Sequence, residues 1–163
     1  MTHALKAIFA AIILVSSFAA SVTAGPSDDA LDAFVNRDYE TALRLFRLAA
    51  DQGDANGQFM LGVMYATGQG IPQNYAEAVK WYRLATDQGS ADAQYNLGGM
   101  YATGQGVQQD YVSAYAWLSL SAAQGEQSAT KSRDLIARRM TPAQIAEAQN
   151  LAREWKPTTQ PPR

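Results

Sequence analysis

A seven-residue stretch, Met-Tyr-Ala-Thr-Gly-Gln-Gly, occurs twice without change, at Met64–Gly70 and at Met100–Gly106, and the two copies begin 36 residues apart. A period of this length is typical of proteins that stack one small structural unit, because each unit buries its apolar face only against its neighbours. The duplication therefore restricts the chain to folds in which the same turn recurs at regular intervals.

The repeat extends well beyond that stretch. Positions that coincide at a shift of 36 residues include Tyr39, Tyr75 and Tyr111, then Ala42, Ala78 and Ala114, and the segments Arg47–Gly53 and Arg83–Gly89. These matches predict complete units at residues 54–89 and 90–125 and a degenerate unit at residues 28–53. With the C-terminal capping helices predicted at residues 126–156, they form one repeat domain over residues 25–156.

Each complete unit carries the signals of two helices. In the second unit, Ser90 can accept hydrogen bonds from a first helical turn, and Gly104 stands where a helix ends in a left-handed residue. We predict a first helix from Ser90 to about Ala102 and a second from Asp110 to about Gly125. The first unit has the equivalent signals at Asp54, Gly68, Asn74 and Gly89.

The duplicated stretch is thus interpreted as the end of a first helix and the turn after it. A phosphate-binding loop is disfavoured, since no strand precedes the glycines. Apolar and small residues recur at helical spacing in both helices, which favours an antiparallel pair. Trp81 and Trp117 are predicted to lie in the core, where full burial of a large apolar side chain contributes about 1.5–3 kcal/mol. The predicted fold class is all-α, a right-handed α/α solenoid of antiparallel helix pairs.

The C-terminal segment departs from the repeat pattern. Where the complete unit has Leu97-Gly98, this segment has Arg133-Asp134. Residues 127–139 can still form a helix. A second helix is predicted to start at Thr141, which has an N-cap side chain with a proline directly after it, and to run to Trp155. We interpret these two helices as the terminal cap of the stack.

Both ends of the chain lie outside the predicted repeat domain. Lys6 precedes the apolar run Ala7–Val15, and small residues lead to Ala24, which is the pattern of a signal peptide over residues 1–24. An uncleaved N-terminal anchor is the alternative, although the run is shorter than the roughly 20 residues of a membrane span. We expect export and a periplasmic or secreted location. Residues 157–163 hold three prolines and are predicted to be a disordered tail.

Two residue types needed for much of enzyme chemistry are missing. The chain has no cysteine, and its one histidine, His3, lies in the predicted signal peptide. The exported protein would therefore lack Ser-His-Asp and Cys-His catalysis. It would also lack thiolate and imidazole metal sites, which leaves only carboxylate sites for hard cations. We expect no cofactor, and the fold must be stabilised without disulfides.

Charge is unevenly distributed along the chain. Residues 25–130 carry 5 basic and 12 acidic side chains, whereas residues 131–163 carry 7 basic and 3 acidic ones. An acidic body disfavours nucleic-acid binding. The basic end could contact anionic lipid or an acidic partner, and the alternative is a solvated helix face.

The second complete unit resembles a known repeat. It reads Ala-x-x-Gln-Tyr-x-Leu-Gly-x-Met-Tyr-x-x-Gly-x-Gly-Val from Ala91 to Val107, followed by Asp-Tyr-x-x-Ala-x-x-Trp from Asp110 to Trp117. This pattern is similar to the Sel-1-like repeat, a relative of the tetratricopeptide repeat, and residues 54–89 match it as well. The resemblance implies a tetratricopeptide-like superhelix and a secreted bacterial member of the family.

The resemblance also implies a scaffold that binds other proteins, and family members in bacterial envelopes are linked to signalling, secretion or envelope assembly. First helices line the concave surface of related solenoids. Positions there that packing does not need form a stripe of amide, hydroxyl and apolar groups, which could grip an extended peptide through its backbone: Asn56, Met60, Val63, Thr67, Asp92, Asn96, Gly99 and Thr103. Met60 is predicted to be the most adaptable contact. The alternative is that these are ordinary solvated residues.

Two other functions stay open from the sequence. A hydrolase would need two carboxylates about 5–10 Å apart across a cleft. The candidate acids lie near helix ends, where carboxylates cap a helix or favour its dipole: Glu77, Asp87, Asp92 and Asp110. A cell-wall or polysaccharide-binding module would use tryptophan and tyrosine faces, and their core-like spacing disfavours it. We therefore predict a protein that is not an enzyme and binds an unknown protein or peptide.

Overall fold

The computed structural model describes residues 26–158, and every regular element in that range is an α-helix. Within these residues eight helices follow one another: α1 Pro26–Val35, α2 Tyr39–Asp51, α3 Ala55–Thr67, α4 Tyr75–Asp87, α5 Ala91–Thr103, α6 Tyr111–Ala123, α7 Gln127–Ala137 and α8 Pro142–Glu154. None of these described helices is long and apolar enough to cross a membrane. The predicted signal peptide lies outside the described residues.

The complete units fold as predicted, each into two packed helices, α3 with α4 and α5 with α6. Asp54 and Ser90 are the N-caps of α3 and α5, and their side-chain oxygens accept from the N–H three residues on at 2.6 and 3.3 Å. Asn74 caps α4 in the same way. Thr141 caps α8 and forms a capping box with Gln144. Local hydrogen-bonding chemistry therefore sets where these helices begin.

The duplicated turn closes each first helix and then contacts the preceding unit. Gly104 is the left-handed C-cap of α5, with a φ of 74°. Gly106 also has a positive φ, 71°, and a Cβ built there would lie 2.4 Å from the carbonyl oxygen of Tyr75. A Cβ on Gly70 would lie 2.5 Å from the Cβ of Tyr39. The second glycine of the turn thus lets one unit rest on the second helix of the unit before it.

The core is a row of clusters that neighbouring units share. Phe46 of α2 packs in one cluster with Leu61 of α3, and Tyr82 of α4 packs in the next with Leu97 of α5. A third cluster joins α6 to α7. Each cluster combines the second helix of one unit with the first helix of the next, so no unit buries its apolar face alone.

One glutamine of each complete unit bonds to the end of the preceding unit and to a buried glutamine of its own unit. The side-chain amide of Gln88 donates to the carbonyl oxygen of Gly53 at 2.9 Å and to Oε1 of Gln58 at 2.8 Å. Gln124 makes the equivalent two bonds one unit later. Because Gln58 is buried, this bond satisfies a polar group that would otherwise destabilise the interior.

The C-terminal segment forms the two predicted capping helices, but they do not make another pair. Whereas α7 packs on α6 as a first helix does, α8 also packs on α6 and not on α7. Ala148 of α8 is buried in a cluster with Tyr115 and Ala116 of α6. Trp155 meets Trp117 edge to face, with ring centroids 6.0 Å apart. The final helix therefore covers the outside of the last complete unit.

The residues of α7 explain why α8 packs on α6 and not on α7. In α5, Leu97 is fully buried, and Gly98 leaves room for Leu118, which would lie 2.8 Å from a Cβ at that position. In α7 the equivalent residues are Arg133 and Asp134, whose side chains bond to each other at 2.8 Å. Arg133 lies beside the ring of Tyr115 of α6, so a helix packed in the second position would cover and desolvate Asp134. The helix α8 avoids this cost on the apolar surface of α6.

The structure places the first residues of the predicted disordered tail against the body. The backbone N–H of Thr158 donates to the carbonyl oxygen of Asp87 at 2.7 Å. Pro157 lies 3.6 Å from where a Cβ of Gly89 would stand. Residues 159–163 lie outside the described range, and for them the tail stays a prediction. The segment after α8 thus reaches back to the end of α4.

Candidate functional site

The predicted contact stripe reaches the surface along α3 and α5. All eight of its residues are at least partly accessible to solvent. Five are exposed, namely Asn56, Thr67, Asp92, Gly99 and Thr103. Three are half-buried, namely Met60, Val63 and Asn96. The structure therefore places the stripe on the free sides of two successive first helices.

The second half of the stripe borders a cleft of about 440 Å³. Its volume lies in the range of sites that enclose a small ligand or a large side chain. The residues that give the cleft its character are Asn96, Gly99 and Thr103 from α5, Tyr82 from α4, and Ser132 and Leu135 from α7. Apolar surface with a few hydroxyl and amide groups therefore surrounds the opening.

Gly99 is the residue that leaves this cleft open. A Cβ built on Gly99 meets no atom within 4 Å. The equivalent residue of the preceding unit is Val63, which packs on the core cluster shared by α4 and α5. Met60 packs on the core beside Leu61. The accessible surface is therefore concentrated on the second unit, and Met60 is less free than predicted because packing between units covers part of it.

A buried phenol lies at the cleft beside one of the predicted contact residues. Tyr82 is 3% exposed. Burial raises the pKa of its hydroxyl above the ordinary value of 10.0, and the Asn96 side chain, as a hydrogen-bond partner, opposes that shift. The phenol is therefore neutral at physiological pH. An uncharged hydroxyl beside an amide suits a peptide backbone better than it suits an ion.

The threonines of the stripe direct their protons at their own helices. Thr67 Oγ1 donates to the carbonyl oxygen of Val63 at 2.8 Å, and Thr103 Oγ1 donates to that of Gly99 at 3.0 Å. This is the usual back-bonding of hydroxyl side chains in helices. What each threonine presents to a partner is consequently an acceptor oxygen.

Comparison with known proteins identifies the repeat. Residues 31–54, 55–90 and 91–126 each match the family model described as the Sel1 repeat. The chain belongs to the Sel1 repeat family. Sel1 repeats generally act as protein–protein interaction scaffolds, and their presence implies protein partners in general. No curated protein matches the sequence.

Solved structures share this Sel1 solenoid and confirm the predicted fold class. A protective antigen present in uropathogenic Escherichia coli strains, described as displaying an SLR fold, is 29% identical with a TM-score of 0.76, and the match covers 79% of this chain and 28% of that one. A Sel1 repeat protein from Oxalobacter formigenes is 25% identical with a TM-score of 0.67, and the match covers 81% of this chain and 55% of that one. The chain therefore spans 28% and 55% of the lengths of these two proteins.

The structure shows the local environment of three of the four acids considered for hydrolysis. Glu77 pairs with Lys80 at 2.5 Å. Asp110 caps α6 and accepts from the backbone N–H two residues on at 2.9 Å. Burial raises the pKa of Asp87, which lies at the end of α4. Among the described residues no group of three or more acidic or histidine side chains is arranged to hold a metal ion.

Sequence reasoning missed the α7 side of the cleft, although the Sel1 period could have found it. Adding one period of 36 residues to Asn96 and Gly99 gives Ser132 and Leu135, and both line the cleft. The Arg133-Asp134 pair interrupts the motif, so the sequence favours a cap there. The predicted stripe nevertheless continues onto α7, where Ser132 and Leu135 line the cleft.

Proposed function

We propose that this protein is a non-enzymatic scaffold of the bacterial periplasm. It binds an extended segment of a partner protein along the first helices of its Sel1 units. The contact is centred on the cleft between α5 and α7 and continues over the exposed residues of α3. The observation that carries this proposal is the open space above Gly99, where a side chain of the partner can enter.

The lining of the cleft supports an uncharged peptide segment as the ligand. No described residue that lines it carries a charge. Leu135, which is 62% exposed, offers apolar surface to one large side chain. Asn96 offers both an amide donor and an acceptor to the partner's backbone, and Thr103 offers an acceptor. One anchor side chain in a pocket with polar contacts around it is the usual energetic centre of an interface.

Export to the periplasm belongs to the proposal because the N-terminal segment has the pattern of a signal peptide. The test is the intact mass of the protein recovered from the cell envelope. We expect a mature chain that starts at Gly25. Recovery of an uncleaved chain from the membrane fraction supports the anchor alternative.

Blocking the cleft tests the proposed contact directly. Gly99→Phe adds a ring where the structure has open space, so we expect the fold to remain and the partner to be lost. Ala146→Phe adds the same ring at an exposed position of α8 and is the matched control. Partner proteins cross-linked in the envelope and identified by mass spectrometry should fall about tenfold or more with Gly99→Phe only.

A second pair of changes tests the stripe on both units. Met60→Glu combined with Asn96→Arg places charge at both units of the stripe. We expect the same proteins to be lost as with Gly99→Phe. If this double variant and Gly99→Phe capture the same proteins as the unchanged chain, the proposal that the partner binds along the first helices is wrong.

Polysaccharide is the alternative ligand, and the aromatic rings at the cleft favour it. Tyr75 and Tyr95, which are half-buried, line the opening, and aromatic faces can stack on sugars. Sedimentation of the purified protein with isolated envelope polysaccharide distinguishes the two ligands. Binding that Gly99→Phe abolishes and Ala146→Phe preserves supports the polysaccharide.

A further inference from the structure

Each first helix has one side that packs on the unit before it. On α3 this side carries the buried residues Leu61 and Met64, which share a cluster with Phe46 of α2. On α5 the equivalent residues are Leu97 and Met100, which share a cluster with α4. This side is apolar wherever a preceding unit covers it.

The equivalent side of α1 is acidic. Ala30 shares a core cluster with Phe46, and one unit later Gly62 faces Tyr82, so Ala30 and Gly62 are equivalent positions 32 residues apart. The same offset places aspartates at the positions of Met60, Leu61 and Met64. They are Asp28, Asp29 and Asp32, and all three are exposed. We call this side of α1 the head face.

The opposite end of the stack has a basic counterpart. On α5 the residues that face the next unit include Tyr95 and Ala102, which pack on the cluster shared with α7. One period of 36 residues later, α7 and its C-terminal turn carry Lys131 and Arg138 at these positions, with Leu135 between them. All three are exposed, since α8 packs on α6 and not here. We call this side of α7 the tail face.

We propose that copies of this protein associate head to tail, with the head face of one copy on the tail face of the next. The charges are complementary: residues 26–35 carry a net charge of −3 and residues 127–139 a net charge of +3. Leu135, which is 62% exposed, and Val35, which is 77% exposed, supply apolar surface at the two ends. The tail face shares Leu135 with the wall of the cleft, but its charged residues, Lys131 and Arg138, do not line the cleft.

The geometry of such a contact predicts its consequences. Two different surfaces meet, so the contact is heterologous, and each added copy leaves one head face and one tail face free. Copies would then follow one another in one direction, with α1 of one copy on α7 of the next. Because the attraction joins exposed charges, it weakens as salt shortens the range of electrostatic interaction.

Sedimentation equilibrium of the purified protein tests the proposal. We expect dimers and longer chains at about 20 mM salt and monomers at about 500 mM salt. Lys131→Glu with Arg138→Glu reverses the tail face, and Asp28→Lys with Asp32→Lys reverses the head face. The association constant of each double variant should be at least about tenfold lower than that of the unchanged protein. Arg47→Glu with Lys80→Glu makes the same change of charge as the tail variant but away from both ends, and it should leave association unchanged.

Mixing the two reversed variants gives the decisive result. Each one alone has two end faces of the same sign, whereas an equal mixture again contains complementary ends. We expect the mixture to recover the association of the unchanged protein. A mixture that stays monomeric, or an unchanged protein that is monomeric at low salt up to about 1 mM, overturns the proposal and leaves the end faces as solvated caps. Circular dichroism confirms that each variant is folded, and Gly99→Phe should associate normally, which separates this contact from the cleft.

Discussion

The first helices of the two complete Sel1 units share four of their five buried residues, yet the cleft opens beside the second unit. Both units cap their helices with short polar side chains and use the same turn and the same glutamine bond to the unit before. They differ on their free sides, where Val63 in the first is replaced by Gly99 in the second. Residues that recur at the period are those that packing requires. Residues that break the period are where a scaffold can acquire a specific partner.

Even a shared residue can have different neighbours in the two units. A Cβ on Gly62 would lie 2.5 Å from the ring of Tyr82, whereas a Cβ on Gly98 would lie 2.8 Å from Leu118. The second helix thus supplies a phenol in one unit and an aliphatic side chain in the other. Substitutions at matched positions of the two units test how these differences affect stability.

The largest expected effect is at the duplicated turn. Gly106→Ala should lower the free energy of unfolding by about 3 kcal/mol, because a Cβ there strains a positive φ and also meets backbone at 2.4 Å. Gly104→Ala has only the strain and a looser contact with Gln109 at 3.3 Å, so about 1 kcal/mol is expected. Urea unfolding of both variants measures the difference. Equal losses would contradict the role of the second glycine between units.

The next prediction concerns a change from glycine to alanine in each first helix, and the two changes should alter the stability in opposite directions. Gly62→Ala overpacks the ring of Tyr82 and should destabilise by about 1–3 kcal/mol. Gly99→Ala enters open space in the middle of α5 and should stabilise by about 0.5–1 kcal/mol, because alanine favours the helix more than glycine does. Thermal unfolding reports both changes. A loss of stability in Gly99→Ala would mean that the cleft is not open.

A smaller difference is expected between the helix caps of the two units. Asp54 accepts its hydrogen bond at 2.6 Å and Ser90 at 3.3 Å. Asp54→Ala should cost about 1 kcal/mol, within the range for N-cap residues, and Ser90→Ala should cost less. Urea midpoints of the two variants provide the test. The reverse order would show that the shorter bond is not the stronger cap.

The smallest effect appears only in alkaline solution. Burial raises the pKa of Tyr82 in the folded protein, so the unfolded chain releases this proton first as the pH increases. The stability linked to Tyr82 is complete below pH 10 and is lost above it, by about 1 kcal/mol at pH 11. Tyr82→Phe lacks this loss, as the second unit does with Leu118. Urea unfolding from pH 8 to pH 11 compares the two proteins, and parallel curves would contradict the prediction.

Much of the fold follows from local chemistry that a sequence displays. The oxygen of Asp54, the glycine at 104 and the proline after Thr141 each act within a few residues, so helix ends can be predicted one at a time. The period of 36 residues then predicts the stack. The packing of α8 could not be predicted in this way, because it depends on whether the helix packs on α6 or on α7.

The cleft was harder to predict because it is a space between helices, and its shape depends on how those helices pack. The sequence indicated Asn96, Gly99 and Thr103 as residues not needed for packing. It could not show that Met60 is half covered or that Leu135 closes the far side, since both depend on distances between helices. The bond from Thr158 to Asp87 joins residues 71 positions apart, and no sequence period relates them.

The Arg133-Asp134 pair also determines how a protein of this kind can become longer. A helix appended after α7 by gene duplication would pack as a second helix on Asp134, a carboxylate that is bonded to Arg133. A copy inserted between Gly89 and Ser90 would find apolar surfaces on both sides. Descendants of this gene can therefore gain length at internal junctions while retaining the same terminus.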